Sequence, residues 1–314
     1  MRTPTKKDIE QAFETVSKYA HRTPVLTSKS INSMLGCSVF FKCENFQKVG
    51  AFKFRGASNA VFNLNNEQAT KGVCTHSSGN HAAALALASS IRGIPSYIVM
   101  PSNAPSIKRK AVEGYGAKIF TCEPTQDARE KELERVRIET GSTFIHPYEN
   151  FEVICGQGTA SLELLDEVKG LQTVITPVGG GGLFSGTLIY TKGTNPSIEV
   201  YAGEPQNADD AYRSLRDGTL HPSINPNTIA DGLRTSLCPL TLLVIQKYAD
   251  GILTVSEESI VKAMRLVWER MKIVIEPSSA VPVAAIMQNR EVFKGKRVGV
   301  IISGGNVDVK NLPF

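Results

Sequence analysis

Four short stretches of the chain hold residue types that do chemistry only in particular surroundings. The first is Gly50-Ala51-Phe52-Lys53-Phe54-Arg55-Gly56-Ala57. A lysine flanked by two phenylalanines at the mouth of a predicted helix sits in a desolvated setting. Desolvation disfavours the ammonium form and leaves an amine able to form a Schiff base with an aldehyde. The competing reading is a lysine that extends past its apolar neighbours to water.

The second stretch, Thr75-His76-Ser77-Ser78-Gly79-Asn80-His81, joins a predicted strand to a predicted helix. Its hydroxyls, glycine and asparagine suit either an ordinary helix cap or an anion-binding turn with outward N–H groups. The third, Val178-Gly179-Gly180-Gly181-Gly182-Leu183-Phe184-Ser185-Gly186, has four consecutive glycines. A simple turn needs one or two, and each extra glycine costs backbone entropy. A nest of bare N–H groups closing on a phosphate explains them better. The spacing is neither that of a nucleoside-triphosphate P-loop nor G-x-G-x-x-G, because Phe184 stands where the third glycine would fall. The fourth, Ile302-Ser303-Gly304-Gly305-Asn306, closes the last apolar run.

The elements that must position these residues alternate along the chain. Strand-like runs are predicted at 38–42, 72–76, 96–100, 117–121, 173–178, 197–203 and 297–302, with helical patterns at 81–91, 127–139, 160–168 and 259–271. Such alternation implies a mainly parallel sheet with helices on both faces, and the strands are nearly all apolar, as expected when both sheet faces are covered. Residues 72–149 hold about four short strand patterns, enough for a small doubly wound unit. The flanking stretches 1–71 and 150–314 then form the other domain together. In such sheets ligands bind beyond the carboxyl ends of strands. Segments 77–81, 179–182 and 303–306 all fall there, so one phosphate ligand with a ring could touch all three beside Lys53.

Composition narrows the class. With 314 residues, 41% apolar and 21% charged, the chain is an ordinary globular protein of one large or two medium domains. Its net charge of +5 is dispersed, and Lys108-Arg109-Lys110 reads as a solvated helix face, so no nucleic-acid partner is expected. No secretory signal or membrane span is expected either. The six cysteines show no metal-ligand spacing and read as reduced core thiols of a cytoplasmic protein.

The ordered set FKFRG, SSGNH, GGGGLFSG, EPQNADD, IADGLR, ERMKIVIEPSS and SGGNVD resembles the serine racemase and serine/threonine dehydratase group of fold type II pyridoxal-phosphate (PLP) enzymes. The resemblance implies an α/β fold of two doubly wound domains with mainly parallel sheets. Residues 1–71 and 150–314 would bind PLP, and 72–149 the amino-acid substrate. It further implies that Lys53 binds the cofactor aldehyde and Gly179, Gly180, Gly181 and Gly182 cradle its 5′-phosphate. Phe52 packs on the ring, Asn80 bonds the 3-oxygen and Ser303 bonds the pyridine nitrogen. A serine there leaves that nitrogen essentially neutral and the ring a weaker electron sink than an aspartate would.

Ser77, Ser78, Gly79, Asn80 and His81 resemble the loop that binds the substrate carboxylate. In the racemase pattern Ser78 is also the acid/base opposite Lys53, whereas many threonine dehydratases have alanine there. Glu204 and Asp210, with the carbonyl of Ala208, match the pattern's divalent-cation site, which suits Mg²⁺, Ca²⁺ or Mn²⁺. Without the resemblance, an acidic cluster at a helix N-terminus is the plainer account of that pair. A homodimer is implied, with ATP as an activator at its interface, although no residues here single out an ATP site.

The implied activity is interconversion of L- and D-serine with side elimination to pyruvate and ammonia. A serine, threonine or 3-hydroxyaspartate dehydratase without significant racemisation stands as the alternative. A nicotinamide-dependent oxidoreductase is a distant one, resting on Glu204 about twenty residues beyond the glycine run.

Overall fold

The computed structural model describes residues 2–104 and 106–314. Ten strands are present: β1 (Val25–Leu26), β2 (Ser38–Cys43), β3 (Val73–His76), β4 (Ser96–Pro101), β5 (Lys118–Cys122), β6 (Thr143–Phe144), β7 (Thr173–Pro177), β8 (Glu199–Pro205), β9 (Gly251–Val255) and β10 (Arg297–Ile302). They form a six-stranded sheet in the order β1-β2-β10-β7-β8-β9 and a four-stranded sheet in the order β5-β4-β3-β6. Among the described residues, only β1, antiparallel to β2, departs from the parallel arrangement. The seven expected strands are all present. The additional β1 and β6 are two residues long, too short to carry a period, and β9 follows a helix directly.

Alternation of side chains across each strand feeds two cores. On β10, Val298, Val300 and Ile302 enter the core shared with Val39, Phe41 and the helix Glu257–Met271, while Ile301 enters the core on the other face with Ile154 and Leu188. The four-stranded sheet does the same: Ile98 and Met100 face the helix Asn80–Arg92, and Val99 faces Leu133 and Val136. Both faces of the central strands β3 and β4 are covered, which fits their largely apolar make-up, whereas the edge strand β5 keeps Lys118 and Thr121 exposed.

The helix expected at 160–168 spans Phe151–Glu167 instead. Gly156 and Gly158, weak helix formers by propensity, serve close packing. A Cβ at Gly156 would lie 2.6 Å from the carbonyl of Arg55, and one at Gly158 would lie 2.7 Å from Ile9. The helix Lys53–Phe62 therefore passes almost in backbone contact with Phe151–Glu167.

That helix is also fixed by a buried ionic cluster. Arg55 donates to both oxygens of Glu44, at 2.7 and 2.8 Å, and to both oxygens of Glu163, at 2.9 and 2.8 Å. Lys42 reaches Glu163 at 2.5 Å and the carbonyl of Thr23 at 2.6 Å. Two cations face two carboxylates with bidentate geometry. This arrangement offsets the desolvation that would otherwise make the cluster unfavourable.

Candidate functional site

The three glycine- and serine-bearing segments lie at carboxyl ends of strands. Ser303 follows β10, Gly179–Gly182 follow β7, and these two strands are neighbours in the large sheet. Ser77–His81 follow β3 in the small sheet. Lys53 reaches the same place because the chain just before its helix is stitched to β10's exit. The N–H of Phe52 donates to the carbonyl of Ser303 at 2.9 Å, and Ala51 bridges Gly304.

Lys53 is the first residue of its helix and is partly buried. Its Nζ donates to the carbonyl of Pro147 at 3.0 Å and lies 5.1 Å from the centre of the Phe52 ring. Burial pushes its pKa down to about 8, against the opposing pull of the Glu276 carboxylate. Nearby imidazoles add no competing cation at neutral pH, because burial holds His81 at about 3 and His146 at about 4. His81 Nε2 donates to the carbonyl of Ile145 at 3.0 Å, and its buried Nδ1 has no partner among the described residues.

In the loop after β3, Gly79 caps the helix without any side-chain capping bond. Ser77 Oγ accepts the N–H of Gly79 at 3.3 Å. The hydroxyl of Ser78 is thus not spent on the helix end. Asn80 is held from two sides: its Nδ2 donates to both oxygens of Glu276, at 3.2 and 3.1 Å, and its Oδ1 accepts from Asn306 Nδ2 at 2.9 Å. Burial, reinforced by Asp231, pushes the Glu276 carboxyl up to about 7.

The glycine run is shaped by more than a ligand. Gly181 has φ +86°, and a Cβ at Gly180 would lie 2.3 Å from the ring of Tyr148. Among the described residues, none of the N–H groups of Gly179, Gly180 and Gly181 donates to a protein acceptor. Ser303, 2% exposed, has its Oγ 2.9 Å from that of Ser279.

Glu204 and Asp210 are both 1% exposed. Glu204 accepts the N–H groups of Ala211 and Tyr212 at 2.8 Å each, and Asp210 Oδ2 accepts that of Leu237 at 3.3 Å. Burial and mutual repulsion push Glu204 well above the usual carboxylate range, and burial pushes Asp210 up to about 6. Among the described residues, no cluster of three or more His, Cys, Asp or Glu is arranged to hold a metal.

The sequence profile described as "Pyridoxal-phosphate dependent enzyme" matches residues 16–304. The chain belongs to that family. A serine racemase of Dictyostelium discoideum is 52% identical, over 99% of this chain and 98% of the relative. A beta-hydroxyaspartate dehydratase of Paracoccus denitrificans is 49% identical over 100% of both chains. The crystal structure of the Dictyostelium discoideum serine racemase superposes with a TM-score of 0.95 at 51% identity, covering 98% of this chain and 100% of that one.

The residues present fit the cofactor of this PLP-dependent family. An amine of lowered pKa, unspent N–H groups on a glycine turn and a buried serine hydroxyl converge at neighbouring strand ends. The acidic pair fits a hard cation: two buried carboxylates repel each other, and Asp210 Oδ1 has no partner among the described residues. Pro147 and Tyr148 join the site without having been singled out in the sequence, and Glu276, Ser279 and Asn306, which lie in the quoted motifs, gain roles there that the sequence did not assign. Their signal is spatial, since each acts on a residue far away in the chain. On the solvent-facing helix Ser106–Gly114, Lys108 pairs with Asp231 at 2.7 Å, tying that helix to the turn Asp231–Leu233. Five of the six cysteines are buried and all six are free thiols. Among the described residues no helix is long and apolar enough to cross a membrane.

Proposed function

We propose that the protein racemises serine and, as a side reaction, eliminates water from it to give pyruvate and ammonia. The observation that carries this reading is that the loop bearing Ser78, whose hydroxyl is not spent on the helix end, is tied through Asn80 to Glu276 and Asn306, next to the β10 exit that fixes the start of the Lys53 helix. Racemisation requires a proton to be removed on one face of the α-carbon and returned on the other. Lys53, on the side of the large sheet, and Ser78, at the end of the small sheet, are the groups assigned to those two faces.

Bound PLP supplies the electron sink that makes the α-proton acidic. Gly179–Gly182 hold its phosphate, Phe52 covers its ring, Asn80 bonds its 3-oxygen and Ser303 its ring nitrogen. Ser77, Gly79, Asn80 and His81 bind the substrate carboxylate with Ser78. In this reading residues 1–71 and 150–314 carry the cofactor and 72–149 the substrate loop. Glu204, Asp210 and the Ala208 carbonyl hold Mg²⁺ or a similar cation. The working form is a cytoplasmic homodimer, and ATP acts as an activator.

The similarity to a beta-hydroxyaspartate dehydratase favours a second reading, elimination without racemisation. Incubating the protein with L-serine, PLP and Mg²⁺ and measuring D-serine and pyruvate together separates the two. D-serine above a no-enzyme control is expected. Pyruvate without D-serine would overturn the racemase reading and direct the assay to 3-hydroxyaspartate. Ser78→Ala should abolish D-serine formation and spare elimination better; equal loss of both would reduce Ser78 to carboxylate binding.

A further inference from the structure

A serine hydroxyl has one hydrogen to donate and two sites at which to accept. At Ser279, in the first turn of the helix Pro277–Gln288 and fully buried, one acceptor site is filled by the N–H of Gly304 at 2.7 Å. Its single hydrogen has two destinations within reach, the carbonyl of Gly304 at 2.7 Å and Ser303 Oγ at 2.9 Å. If it goes to the carbonyl, the contact with Ser303 holds only if Ser303 donates inward. Ser303 then presents nothing but lone pairs to the site. If it goes to Ser303, the hydrogen of Ser303 is released outward. The carbonyl of Gly304 is not orphaned by that change, because the N–H of Glu276 also donates to it at 3.0 Å.

We infer that Ser279 is a positioning residue that turns Ser303 into a donor toward a neutral aromatic nitrogen, by moving its own hydrogen from Gly304 O to Ser303 Oγ. This rests on the assignment of Ser303 to the cofactor's ring nitrogen. Donation by Ser279 also polarises Ser303, since successive hydrogen bonds in a dry interior strengthen one another. The chain thus has a device that raises the electron-withdrawing power of an unprotonated ring without placing a carboxylate beside it.

The test uses holoprotein loaded with PLP carrying ¹⁵N in the ring. Ser279→Ala should move the ring-nitrogen resonance toward that of a base without a hydrogen bond. It should also slow exchange of the serine α-proton into deuterated solvent by roughly two- to fivefold, with KM unchanged. Ser279→Cys, a weaker donor in the same place, should fall between, and is read in the same way if the alanine variant does not fold. In a Ser303→Ala background, substituting Ser279 should add no further shift. An unmoved resonance, or an equal shift in that background, would overturn the inference. A wild-type protein that captures no PLP would instead overturn the site assignment on which it rests.

Discussion

The ring of Tyr148 lies directly on the backbone of Gly180, so that a Cβ there would sit 2.3 Å from Cδ1 of the tyrosine. The absence of a side chain at this glycine therefore answers to a neighbouring ring as well as to any phosphate. Gly180→Ala should cost about 1–3 kcal/mol of stability through overpacking. Tyr148→Ala in the same chain should recover most of that cost, read from urea unfolding of both single variants and the double. Strict additivity would mean that the ring is not what excludes a side chain.

Lys53 should capture PLP as a free amine. With its pKa at about 8 instead of 10.5, the rate of cofactor uptake by the apoprotein should climb with pH and level off just above 8. A rate still climbing toward pH 10 would show that burial does not depress this amine. Lys53→Ala should lose both the visible absorbance of the protein-bound cofactor and all turnover; retained racemisation would sink the assignment.

The acidic pair predicts a cation effect that depends on pH. Asp210 binds its proton up to about 6 in the folded chain, against 3.8 ordinarily, so the metal-free protein loses stability as pH rises between those values. A cation must displace that proton, and its affinity should therefore increase with pH through the same window. Adding Mg²⁺ to chelator-treated protein should raise the melting temperature by about 3–5 °C at pH 7.5 under saturating conditions. The gain should be distinctly smaller at pH 5.5. Equal shifts at both pH values, or none, would count against Glu204 and Asp210 as ligands.

Arg55 is fully buried against Glu44 and Glu163. Arg55→Ala would leave two buried carboxylates facing Lys42 alone and should destabilise the protein by about 3–5 kcal/mol in urea unfolding. Arg55→Lys keeps the charge but loses the planar fork, and should recover only part of that loss. A neutral effect of either substitution would mean the cluster does not anchor the helix that begins with Lys53.

Much of this was legible along the chain because it is local. The apolar runs that became β2, β7 and β10 are bounded by turn residues, and the glycine and serine segments follow β3, β7 and β10 at the expected carboxyl ends. The pattern at 160–168 marks only the C-terminal half of helix Phe151–Glu167, because Gly156 and Gly158 are poor helix formers whose use, close packing against the helix Lys53–Phe62, is visible only in three dimensions. The roles of Tyr148, Glu276 and Ser279 were not legible for a related reason. Each acts on a partner distant in sequence, Gly180, Asn80 or Ser303, and nothing in its own neighbourhood announces that partner.

The helix that begins with Lys53 gives Phe54, Ala57, Ala60 and Val61 to the core of the small sheet, while its other side abuts Phe151–Glu167. It is a party wall and belongs to neither half alone. Cutting out 72–149 would strip that core of one side and leave the apolar face of Asn80–Arg92 bare. A chimaera that borrows the substrate half of a relative must therefore bring the lysine helix with it, or rebuild its face. Recombination between such enzymes should then be tolerated before the glycine turn preceding Lys53 more readily than between Lys53 and β3.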